Sequence, residues 1–163
     1  MSTTTKQAPN RASVTVAGDR DVRVERVFNA SRDRVWRAYT EPALVAQWWG
    51  RGHRMTIERM ELERGGHWRY VEHAADGTNH GFEGRYREVK RPERIERTFE
   101  WDGMPGHVMV ETSTFEDLGD GRTRVVITLL FHTRDDRDGM VGMDMEAGMN
   151  QSFAALDRLL ATL

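Results

Sequence analysis

The sequence predicts an α+β domain in which a curved antiparallel sheet closes around a long C-terminal helix. Three observations carry this. Between residues 54 and 132, six strand-like runs follow one another with tight turns between them. Two short helical runs follow the first strand-like run. Residues 144–163 hold Met145, Met149, Phe153, Leu156 and Leu160 at spacings of three or four, a single apolar stripe on one helix.

The elements come in order. Residues 1–19 are rich in Ser, Thr, Asn and Ala without an apolar period, and read as a mobile tail; residues 20–163 then form one domain. Val22, Val24 and Phe28 mark a strand over 21–28. Ser31 is a helix N-cap, followed by Val35, Trp36 and Tyr39 at helical spacing. Pro42 suits the first turn of a second short helix carrying Leu44, Val45, Trp48 and Trp49, and Gly50 ends it. Strands are expected over 54–62, 66–73, 79–89, 94–101, 107–117 and 122–132. Asp76-Gly77, Asp102-Gly103, Asp120-Gly121 and the Pro92 turn join them, so neighbours run antiparallel. Gly65-Gly66 predicts a bulge or sharp bend. Gly148, costly inside a helix, points to a close approach of backbone or ligand. The C-terminal helix is the one long element able to cover the sheet's apolar face.

Alternation selects that face. Trp68, Tyr70, Phe82, Gly84, Tyr86, Ile95, Phe99, Trp101, Met109, Phe115, Val125, Ile127, Leu129 and Phe131 share one phase. Polar residues riding on it are His80, Glu88, Arg97, His107, Glu111 and Ser113. If the turn after Trp101 pairs that residue with His107, Arg97 lies opposite Glu111. Either charge buried alone would be costly, so they belong together. Such a pair is either a partly wet ion pair near an open sheet end or a polar anchor at the floor of a ligand cavity. Trp48-Trp49 divides between an anchor for the short helices and a rim for a cavity mouth. On the outer phase, Val108, Val110, Val126 and Leu130 form an apolar patch, a candidate dimer surface or ordinary β-propensity.

Composition narrows the function classes. The 163 residues carry a net charge of −2, which gives no sign of a general nucleic-acid binder. There is no cysteine, hence no disulfide and no thiol chemistry. With no apolar leader and no run approaching the ~20 apolar residues of a membrane span, the expected location is cytoplasmic. Nine Met and five Trp suit an adaptable apolar surface as well as core filling. No nucleophile elbow, P-loop, zincin or dinucleotide motif is present, and the six histidines lack zinc spacing, so no metal or cofactor is expected.

Several motifs resemble a known family. They are Glu41-Pro42 with Gln47-Trp48-Trp49-Gly50, then Leu62-Glu63-Arg64-Gly65-Gly66-His67-Trp68-Arg69-Tyr70, and Gly84-Arg85-Tyr86-Arg87-Glu88-Val89. Pro92-Glu93-Arg94-Ile95, Thr98-Phe99-Glu100-Trp101, Thr114-Phe115-Glu116-Asp117 and Gly148-Met149-Asn150-Gln151-Ser152-Phe153 continue the pattern. In this order the chain is similar, over about residues 21–163, to the Aha-type branch of the START-like (SRPBCC) superfamily, named for activators of a heat-shock chaperone ATPase. The resemblance implies a helix-grip fold with a deep cavity between sheet and C-terminal helix. It implies apolar ligands (lipids, sterols, polyketides) in many members and catalysis in a few, and it transfers no catalytic residue.

The expected function is binding of a small hydrophobic or aromatic molecule. Its pocket would be lined by Trp68, Tyr70, Phe82, Tyr86, Phe99, Trp101, Met109, Met149 and Phe153, with Arg97 and Glu111 as polar contacts. The alternatives are a cyclase, dehydratase or hydrolase using the same cavity, and a chaperone-associated or dimerising interaction module.

Overall fold

The structure is a computed structural model and describes residues 11–163. The element order is β1 (Ser13–Ala17), β2 (Asp21–Phe28), α1 (Arg32–Thr40), α2 (Pro42–Trp48), β3 (Arg54–Met60), β4 (His67–His73), β5 (Asn79–Lys90), β6 (Arg94–Trp101), β7 (Met109–Asp117), β8 (Thr123–Leu130), α3 (Arg134–Gly142) and α4 (Met145–Leu160). All eight strands join one antiparallel sheet in the order β1-β2-β8-β7-β6-β5-β4-β3. The meander thus runs from β3 to β8, and β2 closes onto β8 as its last neighbour but one. This is the helix-grip arrangement the sequence predicts.

Local chemistry explains the helices. The Ser31 side chain accepts from the Arg34 amide and starts α1, and Pro42 opens α2. The chain turns into α4 through Asp144, whose φ is +59° and whose carboxylate accepts from the Ala147 amide. Phe153, Leu156 and Leu160 bury the predicted stripe against the sheet, with Met145 and Met149 half-buried at its N-terminal end. Gly65-Gly66 makes the predicted bend: the Gly65 amide donates to the Tyr86 carbonyl at 2.7 Å and the Gly66 carbonyl accepts from the Tyr86 amide at 3.0 Å.

Three expectations need correction, and one helix is additional to those expected. The tail ends earlier than residue 19, because Val14 and Val16 pair with Val24 and Val22 to make β1. Interleaved Ser and Thr hid that strand; residues 1–10 lie outside the described residues. A helix, α3, occupies a stretch without an apolar stripe; its buried side chain is Arg137, which donates to the carbonyls of Ala17, Gly18 and Asp21. Glu88 is exposed, because β5 is irregular between Tyr86 and Glu88 and the inward phase passes to Val89 opposite Ile95. His107 lies before β7 and is exposed, its Nδ1 paired with Asp136 at 2.7 Å.

On the outer face Val110 stands directly opposite Leu130, while Val126 faces Glu25 on one side and Thr114 on the other. Val108 is exposed. Among the described residues, no helix is long and apolar enough to cross a membrane.

Candidate ligand site

The inner face of β4–β7 brings the two predicted charges together. Register places Arg97 on β6 opposite Glu111 on β7, and Arg97 Nε donates to Glu111 Oε1 at 2.7 Å. Arg97 is 8% exposed. Its Nη1 donates to the Tyr70 hydroxyl at 3.1 Å, and its guanidinium carbon lies 3.8 Å from the Trp68 ring centroid. That is a desolvated cation over an aromatic face with a carboxylate at its side. Burial opposes the charge on Arg97, but Glu111 and the neighbouring phenols outweigh it and hold the guanidinium protonated. The Trp68 ring is itself fixed, since its Nε1 donates to the Thr98 carbonyl at 3.0 Å.

Two further tyrosines approach the pair. Tyr86 faces Arg97 from β5 and is 2% exposed. Tyr39 reaches in from α1, its ring 5.0 Å from Phe115 and 4.8 Å from Trp48. The Tyr39 hydroxyl has no hydrogen-bond partner among the described residues, and the Tyr86 hydroxyl, which lies beside Tyr70 and Arg97, makes no hydrogen bond of normal geometry. Burial raises both phenols well above the usual range, and Glu111 adds to this for Tyr39, so both stay protonated. Sequence reasoning did not single out Tyr39 as a site residue, because a helical aromatic reads first as core.

It also passed over Arg26, a third inward charge. The signal was available: Val22, Val24, Arg26 and Phe28 alternate strictly on β2, and all four are buried. Arg26 forms a two-pronged pair with Asp157 of α4, both contacts 2.6 Å, and lies 4.5 Å from the Phe28 ring centroid.

The predicted aromatic set divides in three. Trp68, Tyr70, Phe82 and Phe99 form one cluster, with Trp68 to Tyr70 at 4.8 Å, Trp68 to Phe99 at 5.3 Å and Phe82 to Phe99 at 5.5 Å between centroids. Phe153 packs separately, edge-on to Phe28 at 5.4 Å, with Met109 and Met149 half-buried beside the core. Trp101 leaves the set: it is 37% exposed at the end of β6, where its ring neighbour is His80 at 5.9 Å. Trp49 takes its place. Its ring lies 5.3 Å from Tyr70 and 5.2 Å from Phe82, at the end of α2 and half-buried. The Trp pair therefore divides its work, because Trp48 is buried and donates to the Ala38 carbonyl at 2.8 Å.

Behind Trp49 the chain is strapped down. Glu72, the next inward residue of β4 after Tyr70, is 1% exposed. It accepts from Arg51 Nη2 at 2.9 Å and lies 2.9 Å from His53 Nδ1. The Arg51 amide donates to Ser152 of α4, and the Arg51 side chain fills the space a Cβ at Gly148 would need, 2.9 Å from its Cδ. Gly148 is thus a close-approach glycine, with a side chain as its visitor. Burial alone would raise the Glu72 pKa, but hydrogen bonds and charge from Arg51 and His53 lower it overall. A lowered folded-state pKa gives stability that is present above the unfolded carboxylate range and lost as pH falls through the folded value. Glu72→Gln is expected to cost about 1–3 kcal/mol at pH 7. It should also flatten the loss of stability between neutral and acid pH, read from urea midpoints across that range. An unchanged acid slope would remove Glu72 from the account.

No group of three or more His, Cys, Asp or Glu among the described residues could hold a metal ion. His67 pairs with Glu83, and His73 contacts Thr56 and Asn79, all as strand-surface partners.

Comparison with known proteins agrees with this architecture. A protein from Rhodobacter sphaeroides of solved structure is 25% identical, with a TM-score of 0.86 over 94% of this chain and 99% of that one. One from Arthrobacter aurescens is 25% identical, with a TM-score of 0.83 over 93% and 92%. One from Chromobacterium violaceum is 29% identical, with a TM-score of 0.76 over 86% and 96%. No curated protein matches the chain. Residues 29–161 match the family described as Activator of Hsp90 ATPase homolog 1-like protein, and the chain belongs to that family, the Aha-type branch of the START-like helix-grip proteins.

Proposed function

We propose that the chain binds a small, largely apolar or aromatic molecule between the inner face of β4–β7 and α4. One observation carries this most directly: a buried Arg97 paired with a partly buried Glu111 and set in aromatic rings, with the phenol hydroxyls of Tyr39 and Tyr86 near it. A few convergent polar groups in an apolar surround orient a small ligand. The half-buried Met109, Met145 and Met149 supply an adaptable lining, and Trp49 covers the aromatic cluster from α2. Glu111 is engaged by Arg97, which favours binding over general-base catalysis.

Native mass spectrometry of freshly purified protein tests the proposal. The expected result is a co-purified organic molecule, or uptake of N-phenyl-1-naphthylamine, that is lost in a Phe99→Trp, Met149→Trp variant retaining the wild-type circular dichroism. A bare polypeptide mass with no uptake of the probe would sink the proposal.

A further inference from the structure

We infer that the polar end of the ligand is an uncharged oxygen, a carbonyl or hydroxyl, held by the hydroxyls of Tyr39 and Tyr86 beside the Arg97–Glu111 pair, and that a carboxylate is excluded. This rests on the proposed binding function and deepens it by naming the ligand's chemistry.

The first argument is charge. The site contains one cation and one anion in direct contact, so Arg97 has no positive charge to offer an incoming acid. The other inward cation, Arg26, is engaged by Asp157 through both nitrogens. A carboxylate entering here would be a second buried anion next to Glu111, without compensation. An arginine that recognised acids would present its fork to the incoming group, whereas Arg97 spends Nε on Glu111 and Nη1 on Tyr70.

The second argument is donors. A buried hydroxyl without a well-formed hydrogen bond is costly, and the Tyr39 and Tyr86 hydroxyls are two such groups. Each is protonated, since burial raises both phenols, so each donates to an oxygen acceptor. The third argument is placement. Tyr86 on β5 stands opposite Arg97 on β6, and Glu111 follows on β7. Tyr39 rests on Phe115, which shares strand and inward phase with Glu111. Tyr86 thus lies on the Arg97 side of the pair, and Tyr39 comes in from α1 near enough to feel the charges of both Glu111 and Arg97. A neutral oxygen between the two phenols would meet two hydrogen-bond donors without adding charge.

Three naphthalenes of similar shape separate the outcomes: 2-acetonaphthone with a neutral carbonyl, 2-naphthoate with an anion, and 2-methylnaphthalene with no oxygen. Equilibrium dialysis at pH 7 measures each against the full chain. The expected order places 2-acetonaphthone about tenfold or more tighter than either of the others, the gain of one to two net hydrogen bonds. Tyr39→Phe and Tyr86→Phe should each lower the ratio of 2-acetonaphthone to 2-methylnaphthalene affinity. If 2-naphthoate binds as tightly as the ketone, or 2-methylnaphthalene does, the inference is overturned and the binding function stands. A preference unaltered in both Phe variants also overturns it. If none of the three binds, the binding function falls and the inference with it.

Discussion

Glu111→Ala is expected to destabilise the protein by about 3 kcal/mol, and the combined Arg97→Met, Glu111→Leu variant to regain most of that loss. The single change leaves Arg97 protonated in a desolvated site. Its remaining partners are the Tyr70 hydroxyl and the face of Trp68, neither of which neutralises a full charge. The Glu111 side chain keeps 18% exposure, which places the cost toward the lower end for broken buried pairs. The double variant removes the uncompensated charge and substitutes apolar groups of similar volume, so stability should return. Urea unfolding of wild type, Arg97→Met, Glu111→Leu and the double variant gives the coupling directly. A cost below about 1 kcal/mol for Glu111→Ala would identify a solvated ion pair at an open sheet end, the other reading the sequence allowed.

That the pair was legible at all follows from periodicity. A strand exposes its face by alternation, and one assumed turn pairing after Trp101 aligned Arg97 with Glu111. The ladder of Arg94 to Phe99 against Thr114 to Met109 has that register. Glu88 escaped for a related reason: one irregularity beyond Tyr86 reverses the phase, and no residue type at that point announces it. Tyr39 escaped because it comes from a helix, whose approach to the sheet depends on packing angles rather than on spacing. β1 was hidden by its length and by polar neighbours, and α3 by having an arginine as its buried side chain. Sequence therefore reaches the sheet-borne half of the site, and tertiary packing supplies the rest.

Gly84→Ala is the second large effect, and it shows how the fold builds the site. Gly84 stands opposite Trp68 on the inner face. A Cβ there would overlap the Thr98 carbonyl and its carbon, backbone atoms that cannot swing aside. Between the pairs Glu83–Glu100 and Tyr86–Arg97 the regular ladder is interrupted. In that gap the Thr98 hydroxyl accepts from the Arg85 amide at 2.8 Å, and the Thr98 carbonyl accepts from Trp68 Nε1 at 3.0 Å. The absent side chain lets the Thr98 carbonyl lie close to Gly84 while it holds the indole in place. The indole in turn is the platform under the Arg97 guanidinium. Overpacking at a backbone contact of this kind should cost about 3 kcal/mol or more in urea unfolding. Trp68→Phe separates the two contributions, because it keeps a ring beneath Arg97 but loses the donor to Thr98. It should cost less than Gly84→Ala and loosen the Arg97 position, visible as line broadening of the Arg97 Nε–H resonance. A Gly84→Ala protein as stable as wild type, with that resonance unchanged, would show that the sheet relaxes at this point and that Trp68 is held by its ring contacts alone.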